Sequence, residues 1–340
     1  MLGTNALPLP RVNWTEYPTI ALSAWANRSL LFLGDSTLRS MVTDMIQQVT
    51  WTGADRLASG YAQVATAVQC PSEWDVTIFN CSESMGYGCV DCVGCCCGRP
   101  TCPQRNNTAI SEIVRDKTRA REWIRLTNGW SDFTARCTSL NLSLSFSWKP
   151  ELYTQADVRA FETRFCLRPP DVLLVGKGLH DAVRRYEPTD LTLSEFENTF
   201  EAAFRRFATL LRCLPPTTLI VVRTATATDL LAATNRLTFK VRKPIRLTSE
   251  HEIVMRLYAD GVFRHPSVIL DAFQLTNASH VRRMQGNAIA STHKGPHGES
   301  LWQDPDTPPS AHDGIHYPPM VQLWLWRYLE VLWSRREREG

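Results

Sequence analysis

The chain has 340 residues, of which 44% are hydrophobic and 21% charged. That balance belongs to a folded globular protein and excludes a disordered, collagen-like or coiled-coil chain. Its net charge of +3, from 37 basic and 34 acidic residues, falls short of the dense basic face that nucleic-acid binding requires.

The first residues, Met1 to Arg11, lack the basic start and long apolar stretch of an ordinary signal peptide. Ser29–Gly34 (SLLFLG) is an apolar run of strand length, and Leu38 to Gln48 has a helical period. Asp75 to Asn80 is expected as a strand and Ile110 to Leu126 as a helix. Strands are expected at Leu142–Trp148 (LSLSFSW), Asp171 to Val175 and Thr217 to Arg223. Between the last two, Asp190 to Cys213 is expected as a helix. It opens on Thr192 and Glu195 at capping-box spacing and carries Phe196, Phe200, Phe204, Phe207 and Leu211 on one face. A helix at Ser249 to Phe263, a strand at Ser267–Leu270 and a long Gly-, Pro-, Ser- and His-rich loop from Gln285 to Pro309 follow. Pro319 to Arg336 closes the chain as a helix with Trp324, Tyr328 and Leu332 four residues apart. Continuous apolar strands alternating with helices predict an α/β fold with a parallel sheet covered on both faces. We read the chain as one domain, core about 29–333. No apolar run reaches the roughly 18 residues of a membrane span.

Eleven cysteines are present, eight of them between Cys70 and Cys102. The spacing Cys89-x-x-Cys92-x-x-Cys95 invites a zinc reading. No partner pair stands at the usual distance, and the adjacent Cys95, Cys96 and Cys97 suit no standard site. A disulfide-linked insertion at about 70–107 is the better reading, with no metal. Asn-x-Ser/Thr sequons begin at Asn13, Asn27, Asn80, Asn106, Asn141 and Asn277. Chance would give about two among so few asparagines. Cysteines and sequons together favour the secretory lumen or the extracellular space.

The first strand ends in Gly34-Asp35-Ser36-Thr37-Leu38-Arg39. A serine at a strand-to-helix turn stands at the carboxyl end of the sheet, where open α/β folds bind ligands. The helix that follows aims its free N–H groups at the same spot, which favours a developing oxyanion. The plainer reading is that Asp35 or Ser36 caps the helix. A serine nucleophile needs a histidine base held by a carboxylate. Near the C-terminus, Asp313-x-x-His316 offers that pair just before the last helix, with His312 as a competitor.

Gly34-Asp35-Ser36 early and Asp313-x-x-His316 late resemble the SGNH (GDSL) hydrolase family. The longer string LFLGDSTLR resembles its PC-esterase branch, which includes glycan O-acetyltransferases and the neurexophilin and PC-esterase proteins. The resemblance implies a flavodoxin-like three-layer α/β/α fold with Ser36 as nucleophile, His316 as base and Asp313 as orienter. It implies acyl ester chemistry, on O-acetyl groups of a carbohydrate or glycoprotein, without a cofactor. The family's oxyanion asparagine is absent. The segment after the fourth expected strand reads Gly176-Lys177-Gly178-Leu179-His180-Asp181. Gly176 and Gly178 are then candidate oxyanion or substrate contacts, or mere shapers of the loop, with Lys177 or His180 as substitute donors. The family's second glycine falls at Gly60 or Gly129. Arg39 recurs in this branch, either as a clamp for the acceptor or in a structural ion pair. The missing asparagine also motivates a rival, a catalytically impaired domain that binds glycans or partners. A second rival is a Cys-rich interaction protein in which the serine and histidine are incidental.

Overall fold

The computed structural model describes residues 12, 18, 20–50, 74–79, 105–109, 132–148, 161–176, 191–227, 244–263, 267–277 and 319–339. All six apolar runs expected as strands are strands: β1 (Ser29–Gly34), β2 (Trp74–Phe79), β5 (Leu142–Trp148), β6 (Val172–Gly176), β7 (Leu219–Arg223) and β8 (Ser267–Leu270). Two more, β3 (Arg105–Ala109) and β4 (Asp132–Cys137), were not expected from the sequence. The long helices are α1 (Ser36–Thr50), α2 (Leu193–Leu210), α3 (Pro244–Ala259) and α4 (Pro319–Glu339). The expected helix at 110–126 and the loop at 285–309 lie outside the described residues.

The eight strands form one sheet in the order β3-β2-β4-β5-β1-β6-β7-β8. β5, β1, β6, β7 and β8 run parallel. β4 pairs antiparallel with β5, and β2 pairs antiparallel with both β4 and β3. The sheet is therefore a five-stranded parallel core of flavodoxin-like order with an antiparallel arm. The arm corrects the expectation of a parallel sheet only at that edge.

Alternation along the parallel strands sends side chains to two cores. Leu30, Phe32, Val172, Leu174, Leu219 and Val221 pack with α1 and α4. Leu31, Leu33, Leu173, Val175, Ile220 and Val222 pack with α2 and α3 on the other face. Both faces of the strands are apolar because both are covered, giving three α/β/α layers.

α2 begins as its sequence predicts. The Thr192 hydroxyl accepts from the Glu195 N–H at 3.3 Å, and Glu195 accepts from the Thr192 N–H at 2.8 Å. These bonds satisfy donors the first turn leaves free. Its phenylalanine stripe is buried throughout. A disulfide joins Cys166, ahead of β6, to Cys213, just past α2, with Cα atoms 5.4 Å apart.

α4 runs against β1. Arg28, just before β1, pairs with Glu337 at 2.7 Å, whereas Phe32 inside β1 packs on Trp326 at 5.3 Å between ring centres. The Trp326 indole N–H donates to the Met41 carbonyl of α1 at 2.8 Å. The first residue of α4, Pro319, therefore lies toward the carboxyl end of β1. Among the described residues no helix is long and apolar enough to cross a membrane.

Candidate active site

From β1 the chain adds β5 on one side and later β6 on the other. The strand order thus reverses between β1 and β6, and the carboxyl ends of these two strands flank the crevice where open α/β folds bind ligands. Gly34 ends β1 and Gly176 ends β6, and the two pair in register. The backbones are close there. A Cβ on Gly34 would stand 2.3 Å from the Gly176 carbonyl oxygen. Gly176 is thus the last residue of β6 and not part of the following loop.

Ser36 is the first residue of α1. The capping role belongs to its neighbour. The Asp35 carboxylate accepts from the Thr37 N–H at 2.9 Å and the Thr37 hydroxyl at 2.7 Å, while the Asp35 carbonyl accepts from the Arg39 N–H at 3.0 Å. Asp35 is 2% exposed, so this cap is an internal brace of the turn. The first-turn amides of α1 leave the helix at the same end, at the positive pole of its dipole. Arg39, one turn on, is buried at 8% exposure and belongs to the same end of α1.

One residue here carried no functional reading in the sequence. Arg223 ends β7, pairs in register with Gly176, and is 1% exposed. One of its terminal nitrogens donates to the Thr37 hydroxyl at 3.1 Å. Burial brings its pKa down to about 10, against the opposing charge of Asp35. The available signal was a single cation closing the otherwise apolar run Leu219–Val222.

Farther along the carboxyl edge, after β8, Asp271 faces the His251 ring nitrogen Nε2, with both its oxygens 3.1 Å away. It also accepts from the Thr224 hydroxyl and the Gln274 N–H. Burial would raise this carboxyl, but the bonds from His251 and Gln274, the His251 charge and the Thr224 bond hold it below its ordinary value.

The structure thus brings together the backbone of Ser36, Arg39 and Gly176. Asp313, His316, His312, Gly178, Lys177, His180, Gly60 and Gly129 lie outside the described residues, as does the Cys-rich stretch apart from β2 and the start of β3. His316 precedes Pro319 by three residues, which span at most about 11 Å of chain.

No protein-family model matches the chain, and no curated protein matches it. Among solved structures it is similar to a GDSL-like lipase from Parabacteroides merdae, at 14% identity over 90% of this chain and 97% of that one, TM-score 0.38. It is similar to the acetyl xylan esterase AlAXEase at 10% identity, over 90% and 98%, TM-score 0.36. It is also similar to a catalytic mutant of the acetylxylan esterase Axe2 from Geobacillus stearothermophilus at 13% identity, over 93% and 97%, TM-score 0.34.

Proposed function

We propose that the protein is an SGNH-type serine esterase or acyltransferase acting on O-acetyl groups of glycans. The observation that carries this reading is the place of Ser36. It opens α1 directly after β1, beside the point where strand order reverses, and Asp35 relieves it of capping. In the proposed cycle Ser36 attacks the acetyl carbonyl while His316 takes its proton and Asp313 holds the imidazole. The tetrahedral oxyanion lies toward the first-turn amides of α1, with the Gly176 backbone across the crevice. The intermediate expels the sugar alkoxide, which takes the proton from His316, and leaves an acetyl-serine. Water then completes hydrolysis, or a second sugar hydroxyl accepts the acetyl group. His316 removes the proton of either acceptor and returns it to Ser36. No step calls for a metal or an organic cofactor. The direction of α4, which brings the residue three places after His316 toward the carboxyl end of β1, supports the assignment of the base. The cysteines and sequons support a place in the secretory lumen or outside the cell.

The test is covalent labelling by a fluorophosphonate, followed by deacetylation assays on acetylated glycans. Wild type should label and release acetate, and Ser36→Ala should do neither. A second reading, an impaired domain that only binds glycans, draws on Gly176 standing where the family's asparagine is expected. Glycan binding by a wild type that never labels would favour it.

A further inference from the structure

The proposed acyl transfer leaves the buried Arg223, beside the nucleophile turn, unused. The Arg223 guanidinium lies between two parts of the site. One terminal nitrogen donates to the Thr37 hydroxyl, and the same nitrogen is 3.6 Å from the place a Cβ on Gly176 would occupy. Thr37 passes the contact on, donating its own hydroxyl proton to Asp35 at 2.7 Å. The other two nitrogens of the guanidinium, Nε and the second terminal NH2, are buried without a hydrogen-bond partner among the described residues. Leaving such donors unmet costs stability, and a buried cation costs more than an apolar side chain of the same volume. Bracing Asp35 through Thr37 uses only one of the three guanidinium nitrogens.

We propose that Arg223 is a positioning residue for the acyl-transfer site, whose buried charge stabilises the oxyanion formed at Ser36 in place of the asparagine that this chain lacks after β6. The proposal rests on the esterase reading above. It acts through two routes, which differ in their consequences. The bond to Thr37 fixes the turn that carries Ser36. The positive charge itself, on a side chain 1% exposed, favours negative charge developing on the substrate beside the α1 amides.

Arg223→Met, Arg223→Lys and Thr37→Val separate the two routes, assayed with an aryl acetate for kcat and KM, with fluorophosphonate labelling, and with thermal unfolding. Arg223→Met removes two unmet donors but also the bond to Thr37 and the charge facing buried Asp35, so thermal unfolding is used to check that the variant is folded. The folded variant should lose about 100- to 1000-fold in kcat, the range for one oxyanion donor, with KM changed by less than about three-fold. Arg223→Lys should recover at least about ten-fold of that loss, since it restores a charge without the planar fork. Thr37→Val keeps the charge and should lose less than Arg223→Met, about ten-fold. A kcat for Arg223→Met within about three-fold of wild type overturns the proposal. So does a loss in Thr37→Val as large as in Arg223→Met, or recovery of Arg223→Met only as unfolded protein. A wild type that neither labels nor turns over removes the esterase reading and this proposal with it.

Discussion

Replacing Gly34 with alanine tests how closely β1 and β6 meet at the site. The new Cβ would stand 2.3 Å from the Gly176 carbonyl oxygen, 2.9 Å from Leu38 Cδ2 and 3.2 Å from the Gly176 carbonyl carbon. Ordinary contact begins at 3.4 Å, so the strands must part by about 1 Å to reach it. The obstacle is backbone on a central strand, which cannot swing aside as a side-chain tip does. Overpacking alone costs about 1–3 kcal/mol. Parting a ladder by that much also weakens interstrand bonds worth about 1 kcal/mol each. We expect a loss of about 2–4 kcal/mol, a large fraction of the 5–15 kcal/mol that holds a typical domain together. Gly176→Ala is the control. Its Cβ would meet Leu38 at 3.3 Å and Arg223 at 3.6 Å, and should cost less than about 1 kcal/mol. Equilibrium urea unfolding, followed by fluorescence of the buried Trp25 and Trp326, reads both. Because Ser36 is two residues on, a 1 Å displacement should also cut turnover by about 100-fold. If Gly34→Ala unfolds at the same urea concentration as Gly176→Ala, the close approach of the two strands is wrong.

Three further outcomes follow from the same structure. The Cys166–Cys213 bridge closes a sequence separation of 47, for which the chain-entropy account gives about 4 kcal/mol; the Cys166→Ala, Cys213→Ala pair should lower unfolding free energy by up to that amount, and an unchanged transition would count against the bridge. Asp313→Asn should lower turnover on the order of 10²–10³-fold while leaving fluorophosphonate-accessible serine in place, and full activity in that variant would remove Asp313 from the site. The depressed Asp271 carboxyl contributes stability that is complete above its unfolded value of 3.8 and is lost as pH falls through the lower folded value; the stability gap between wild type and Asp271→Asn should therefore close in acid, and a gap independent of pH would refute the assignment.

β4 shows where a reading from sequence stops. Phe133, Ala135 and Cys137 are buried while Arg136 is exposed, a true alternation, but Asp132-Phe-Thr-Ala-Arg-Cys offers too few apolar residues to stand out from a loop. β3, Arg105-Asn-Asn-Thr-Ala, has no apolar pattern at all, and as the outermost of the described strands it pairs among them with β2 alone. Its strand character comes from pairing with β2. The strands of the parallel core were legible because burial on both faces demands unbroken apolar runs. The α2 cap was legible because Thr192 and Glu195 interact locally. The place of Ser36 was readable from Gly-Asp-Ser after an apolar strand. Arg223 was not, because its meaning depends on Thr37, 186 residues away, and no short motif encodes such a contact.

The antiparallel arm sets the terms on which the cysteine-laden stretch belongs to this protein. β2 ends at Phe79 and β3 begins at Arg105, which pairs with Ile78, so the sequence 80–104 joins two adjacent strand ends. Those ends are neighbours on one ladder, at the border farthest from β8. β4 and β5 stand between β2 and β1, which puts β2 about 14 Å from the strand leading to Ser36. A segment whose two ends meet can be lengthened, trimmed or exchanged without displacing either strand. The arm is in effect a socket, and a change in what is plugged into it leaves β1 and the turn after it in place.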